Sequence, residues 1–291
     1  STGVTTSPSL SVMVTDPEGR PLTVNYYGRK TTGSGETFSV IGLPDTQSYT
    51  ASELGGLPAM FNAQTQWIRD NHVSENIVFV SHFGDVTDNN QEYEWVIADN
   101  AMSALDVGAD IPYGISPGNH DQDGGTTVPY NTYFGISRFE GRSYYGGSYG
   151  SDNDNNYELF SAAGMDFMII HLEYDPAIGA IQWADGILKD NPSKRAIVTS
   201  HSLIGTGNPA SFSSIGQVIY DELKDNPNLF LMLCGHVNGA GRRTDIYNGS
   251  VVHTLLADYQ SDDGGGNGFL RIMEFLPESA LINVSTFSPY L

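Results

Sequence analysis

The chain has 291 residues, 39 % of them hydrophobic and only 16 % charged, with 33 glycines and 16 tyrosines. This composition is that of a loop-rich folded protein rather than a disordered chain, large enough for a sizeable core. Thirteen basic against 34 acidic residues give a formal net charge of -21, whose long-range field repels a phosphate backbone, so a nucleic-acid polymer is not expected as a partner.

No apolar run reaches the roughly 18 residues of a membrane span, and the opening STGVTTSPS lacks the charged and apolar regions of a signal peptide. High acidity with few lysines fits a secreted or periplasmic protein, which is the localisation expected here. The single cysteine, Cys234, lies in an apolar run and reads as a small buried hydrophobe.

Along the chain, residues 9–29 alternate apolar and polar positions around the turn DPEG, predicting a hairpin. With the linker TTGSGET it forms an expected N-terminal β-arm over 1–36, ahead of one domain over 37–291. TFSVIGL predicts a buried strand, 56–70 a helix, IVFV (77–80) a strand and 93–105 a helix. Further strands are predicted at 111–116, 165–172, 195–200, 229–234, 251–257, 268–275 and 280–287, with helices near 178–190 and 212–224. The alternation implies a layered α/β (α+β mixed) domain, and three closing strands without helices between them imply mixed sheets. The loop SYGSDNDNNYE (148–158) is acidic, but its spacing fails the EF-hand pattern, so a solvated turn is expected. The aromatic stretch holding Tyr130, Tyr133, Phe134, Tyr144 and Tyr145 reads as packing or as a substrate wall.

The residues just past the strands carry the chemistry. Asp45 and Gln47 come after the first strand, Gly84-Asp85 after the next, then Gly118-Asn119-His120-Asp121, His201, and Gly235-His236-Val237-Asn238. Ligands in open α/β sheets bind beyond the carboxyl ends of strands, so these side chains are expected in one crevice. If residues 236–238 are extended, His236 and Asn238 face the same object. Asp, Asn, Gln and His without thiolate point to hard or borderline divalent cations, and seven candidate ligands (Asp45, Gln47, Asp85, Asn119, His201, His236, Asn238) suit two ions better than one.

In order and spacing this set resembles the calcineurin-like metallophosphoesterases, through GD at 84–85, GNHD at 118–121, the lone His201 and the GH of residues 235–236. LPDTQ, GDVTDN, LLADYQ, GGGNGFLRIMEF and STFSP look like a secreted bacterial branch of that family. The resemblance implies a four-layer sandwich of two mixed β-sheets flanked by helices. It also implies hydrolysis of small phosphate esters, as a phosphatase or phosphodiesterase, by a dinuclear centre that activates hydroxide for in-line displacement. One metal would take Asp45, Gln47, Asp85 and Asn238; the other Asp85, Asn119, His201 and His236. Gln47 and Asn238 stand where the family has histidines. The first site is therefore expected to be weaker and harder, leaning to Mn, Mg or Ca, and the second to hold Zn, Fe or Mn. His120 is the implied acid for the leaving oxygen, with Asp121 fixing its tautomer. A nucleotidase or nucleotide phosphodiesterase, and a surface module whose degenerate site only binds metal, are the alternatives. Arg242 and Arg243 read as a surface pair or as a guanidinium near the ester.

Overall fold

The computed structural model describes residues 36–108 and 110–291; the predicted N-terminal hairpin lies outside them. In chain order the elements are β1 (Phe38–Leu43), α1 (Gln47–Ala51), α2 (Pro58–Asn71), β2 (Ile77–His82), α3 (Glu92–Met102), β3 (Tyr113–Gly114), α4 (Val128–Phe134) and α5 (Ile136–Phe139). There follow β4 (Tyr145–Ser148), β5 (Asn156–Ala162), β6 (Met165–Leu172), α6 (Ile178–Asp190), β7 (Arg195–Ser200), α7 (Ser214–Leu223), β8 (Leu229–Cys234), β9 (Gly239–Tyr247), β10 (Ser250–Asp258), β11 (Leu270–Leu276) and β12 (Leu281–Phe287).

Two mixed sheets result, one in the order β12-β11-β1-β2-β3 and one in the order β4-β5-β6-β7-β8-β10-β9. The apolar strand runs have no polar face because each sheet is covered on both sides. Phe38, Val40, Phe79, Phe167, Ile169, Ile197, Leu231 and Leu233 pack between the sheets. Their neighbours Ile41, Leu43 and Val80 pack with Phe61, Ile68 and Trp95 of α2 and α3, while Met168, Ile170, Val198 and Met232 pack with Ile181, Leu188 and Ile219 of α6 and α7. Alternate residues thus face opposite layers, giving helices, sheet, sheet, helices. Cys234 is buried as expected, and burial pushes its thiol up to about 12.

Several elements depart from the sequence reading. The strand expected over 111–116 contracts to Tyr113–Gly114, flanked by Pro112 and Pro117, because proline cannot donate to a ladder. The closing strands divide, β10 joining one sheet and β11–β12 the other. The loop 148–158 is a solvated turn over residues 149–152, which are exposed, but not beyond them. Asn153 to Asn156 within it are buried, and the Asp154 carboxylate accepts from Thr127 Oγ1 at 2.6 Å and Asn131 Nδ2 at 2.6 Å. Tyr130, Phe134 and Tyr144 are buried, so packing accounts for them. Among the described residues no helix is long and apolar enough to cross a membrane.

The parallel strands β1, β2 and β3 in one sheet, and β7, β8 and β10 in the other, end at the same edge of the sandwich. The loops beyond them carry the candidate site.

Candidate metal centre and active site

Asp85 lies just past β2 in a left-handed backbone conformation, φ 48°, directly after Gly84, and a non-glycine residue there is uncommon. The turn is held from two sides. Asp85 O accepts from Thr46 N at 3.0 Å, and Asp85 Oδ1 accepts from His120 N at 2.9 Å. Gly118 is required by proximity, since a Cβ there would lie 2.2 Å from both Asp85 N and Oδ1.

His82, for which the sequence offered no role, supports the same turn. Its Nδ1 accepts from Gly84 N at 3.2 Å, so that nitrogen carries a lone pair and the ring is neutral with its proton on Nε2, 3.1 Å from Thr46 Oγ1. Burial, reinforced by the neighbouring His201 charge, drops its pKa to about 3.

His201 is the hub of the cluster. Its Nδ1–H donates to Phe83 O at 2.8 Å, which turns Nε2 towards Asp85 Oδ2 at 3.0 Å, Asn119 Oδ1 at 3.1 Å and His236 Nδ1 at 3.2 Å. Asp85, His201 and His236 place one ligand atom each within 4.8 Å of one another. Backbone support of one imidazole nitrogen, with the other facing carboxylate, amide oxygen and imidazole, is the arrangement of a metal-ligating histidine. Although burial opposes it, the Asp85 and Asp45 carboxylates raise His201 to about 10, a measure of how much negative charge converges where a cation would sit. Burial and the His201 charge lower His236.

Asp45 is buried, and its carboxylate accepts from His236 N at 3.1 Å. Gly235 permits this approach, because a Cβ there would lie 2.1 Å from Asp45 Oδ1. Burial and the neighbouring Asp258 carboxylate raise the Asp45 pKa well above the usual range. Gln47 Nε2 donates to Asp88 Oδ1 at 2.8 Å, which fixes the amide orientation and leaves the buried Oε1 without a hydrogen-bond partner. A cation satisfies such an oxygen; the residues around Asp45 and Gln47 fit a metal by that test.

Two expectations are corrected. His236 has φ 74°, so residues 236–238 are not the extended segment expected from the sequence. Asn238 Oδ1 instead accepts from Ser261 N at 3.1 Å. Likewise, Asp121 does not orient the His120 ring. Its buried carboxylate accepts from Val86 N, Thr87 N, Gly118 N and Thr87 Oγ1 at 2.8–3.0 Å, tying the GD and GNHD loops together. Burial and Asp85 raise it to about 6. His120 Nδ1 lies 2.7 Å from Asp88 O and 3.4 Å from Asp88 Oδ1.

Three further residues belong to this region. Asp88 meets both Gln47 and His120. The ring of Tyr174 stands 5.4 Å from that of His236 and 5.9 Å from that of His201. Asp258 ends β10. Tyr174 and Asp258 closely follow predicted strands, and the strand-end criterion that found Asp85 and His201 would have found them. Arg243 is engaged elsewhere, paired with Asp245 and lying 3.7 Å over the Phe212 ring.

A two-sheet sandwich with helices outside, and a carboxylate-histidine-amide cluster at its carboxyl edge, is the architecture of a metallophosphoesterase. The chain belongs to that family: the Calcineurin-like phosphoesterase family model matches residues 40–239. An uncharacterized Bacillus subtilis protein, YvnB, is 37% identical over 268 residues, 88% of this chain; the match spans 20% of YvnB. A dimetal phosphatase from Danio rerio shares the fold with a TM-score of 0.57 at 13% identity, over 87% of this chain and 96% of that one. GAP50, described as the anchor in the inner membrane complex of Plasmodium, gives a TM-score of 0.52 at 14% identity, over 87% and 85%.

Proposed function

We propose that this chain hydrolyses small phosphoric esters, mono- or diesters, at a dinuclear metal site bridged by Asp85. The observation that carries the reading is the convergence of Asp85 Oδ2, Asn119 Oδ1 and His236 Nδ1 on His201 Nε2 at 3.0–3.2 Å. These four residues would hold one cation, of borderline character such as Zn, Fe or Mn. Asp45, Gln47 and Asp85 would hold the other, whose oxygen donors favour Mn, Mg or Ca. The bound metals supply Lewis-acid activation of water and neutralise phosphoryl charge, which also explains how so acidic a chain accepts an anionic substrate.

The remaining steps belong to the protein. His120 Nδ1–H donates to Asp88 O, and as imidazolium the ring would carry a second proton on Nε2, which it would hand to the departing alkoxide, returning to the neutral ring. Asp121 fixes the spacing of the loops bearing Asp85 and Asn119 through its four hydrogen bonds. Tyr174, half-buried beside His201 and His236, borders the space open to the ester.

The test is hydrolysis of nitrophenyl phosphate and of bis-nitrophenyl phosphate with added Mn. Asp85→Ala should abolish turnover on both. His120→Ala should keep its metal yet lose far more turnover on an alkyl ester than on a nitrophenyl one. Turnover by Asp85→Ala equal to that of the native chain would refute the bridge, and a metal-loaded native protein inert to every ester would support a site that only binds metal.

A further inference from the structure

Asp258, in the stretch LLADYQ, has no ligand role in the motifs that define the site, yet its surroundings are those of a ligand. Leu256 of β10 pairs in parallel register with Cys234 of β8, so Asp258 ends β10 at the edge where β8 runs into the turn bearing His236. His236 N is the donor to Asp45, which puts Asp258 on the Asp45 side of the centre. Asp258 is fully buried. Its Oδ1 accepts from Gln260 N at 2.8 Å, while its Oδ2 has no hydrogen-bond partner.

Two more buried oxygens, Gln47 Oε1 and Gln260 Oε1, are unpartnered. The loops that bear them adjoin, since Ser48 Oγ donates to Gln260 O at 3.4 Å. Three enclosed oxygens without donors are costly in a protein interior unless something positive meets them. Burial raises Asp258 to about 6, and Asp258 is the strongest charged neighbour opposing ionisation of Asp45. Two buried carboxylates set against each other are relieved by a cation between them.

Resting on the two-metal reading, we propose that Asp258 is a ligand of the Asp45 metal, supplying the anionic oxygen for an all-oxygen shell (Asp45, Asp85, Asp258 and Gln47 Oε1) that selects a hard divalent cation. Asn238, whose oxygen accepts from Ser261 N, is then a loop-holding residue. Oxygen-only donors suit Mg, Ca or Mn, whereas Zn loses the imidazole it prefers.

The experiment is calorimetric titration of chelator-stripped protein with Mg and with Zn, together with melting curves, on the native chain, Asp258→Asn, Asn238→Ala and His201→Ala. Asp258→Asn should lose at least about tenfold in Mg affinity, keep the Zn site that His201→Ala removes, and melt no lower than the native chain when stripped, because a repelling buried carboxylate is gone. Asn238→Ala should keep its Mg affinity. Unchanged Mg affinity in Asp258→Asn, or a stripped protein that melts clearly lower, would overturn the assignment while leaving the two-metal reading intact. Absence of any Mg or Zn binding by the native chain would overturn both. Gln47→Met, which removes the second oxygen without touching a charge, guards against a folding defect: it too should weaken Mg, and unchanged Mg affinity there would count against the oxygen shell.

Discussion

Acid should destabilise the metal-free protein through His82, and the size of the effect follows from the site. The ring is buried and neutral, with Nδ1 accepting from Gly84 N, so protonation would set two N–H donors against each other in the turn that carries Asp85. Its pKa is about 3 against an ordinary 6.5. Because the folded value is the lower, the unfolded chain binds more protons between those two pH values, and stability falls as pH drops through that window. At pH 7 the unfolded histidine is mostly neutral and the penalty is negligible. At pH 5 the unfolded form is about 30-fold more protonated than neutral while the folded one is not, which corresponds to about 2 kcal/mol. Urea unfolding of chelator-stripped protein at pH 7 and pH 5, compared with His82→Gln, isolates this share. The variant should be less stable at pH 7, through its lost hydrogen bonds, but should lose about 2 kcal/mol less than the native chain between the two pH values. An identical pH dependence in both proteins would refute the assignment of a neutral, proton-excluding ring.

Asp121→Ala strips the acceptor from three backbone N–H groups and one hydroxyl. It should cost at least about 3 kcal/mol, or roughly 6–12 °C in a melting curve; a shift under about 2 °C would contradict its role as the tie between loops. Asp88→Ala removes the oxygen that Gln47 Nε2 and the His120 side contact share. Turnover on an alkyl phosphate ester should fall by about tenfold more than on a nitrophenyl ester, and equal losses would count against it. Gly118→Ala places a Cβ 2.2 Å from Asp85 Oδ1 and should lower kcat/KM by about 100-fold, with a matching loss of bound metal by elemental analysis.

Buried parallel strands are legible because covering on both faces makes them continuous apolar runs, as in MDFMIIHL and LFLMLC. Strands with a wetter environment are not. β9 carries Arg242, Arg243 and Asp245 at the sheet's edge, and β5 begins inside an asparagine-rich run, so neither has the apolar signature of a strand. The ligand types at five strand ends are also legible, since sheet topology alone brings them together. Side-chain partners are not: Asn238 Oδ1 accepts from Ser261 N beyond a left-handed His236, and Asp121 is enclosed by backbone donors that no spacing rule reveals. Asp258 lies in LLADYQ, a stretch that carries a resemblance but no assigned ligand role, and only burial with an unpartnered oxygen distinguishes it from an ordinary strand-end aspartate.

Metal dependence is the central claim for this site. Bis-nitrophenyl phosphate hydrolysis by chelator-stripped protein, followed as Mn is added back in known equivalents, measures it directly. A dinuclear centre predicts no turnover in the stripped protein and a rise that completes only once both sites are filled. Hydrolysis that persists after stripping, unaffected by added Mn, would contradict it.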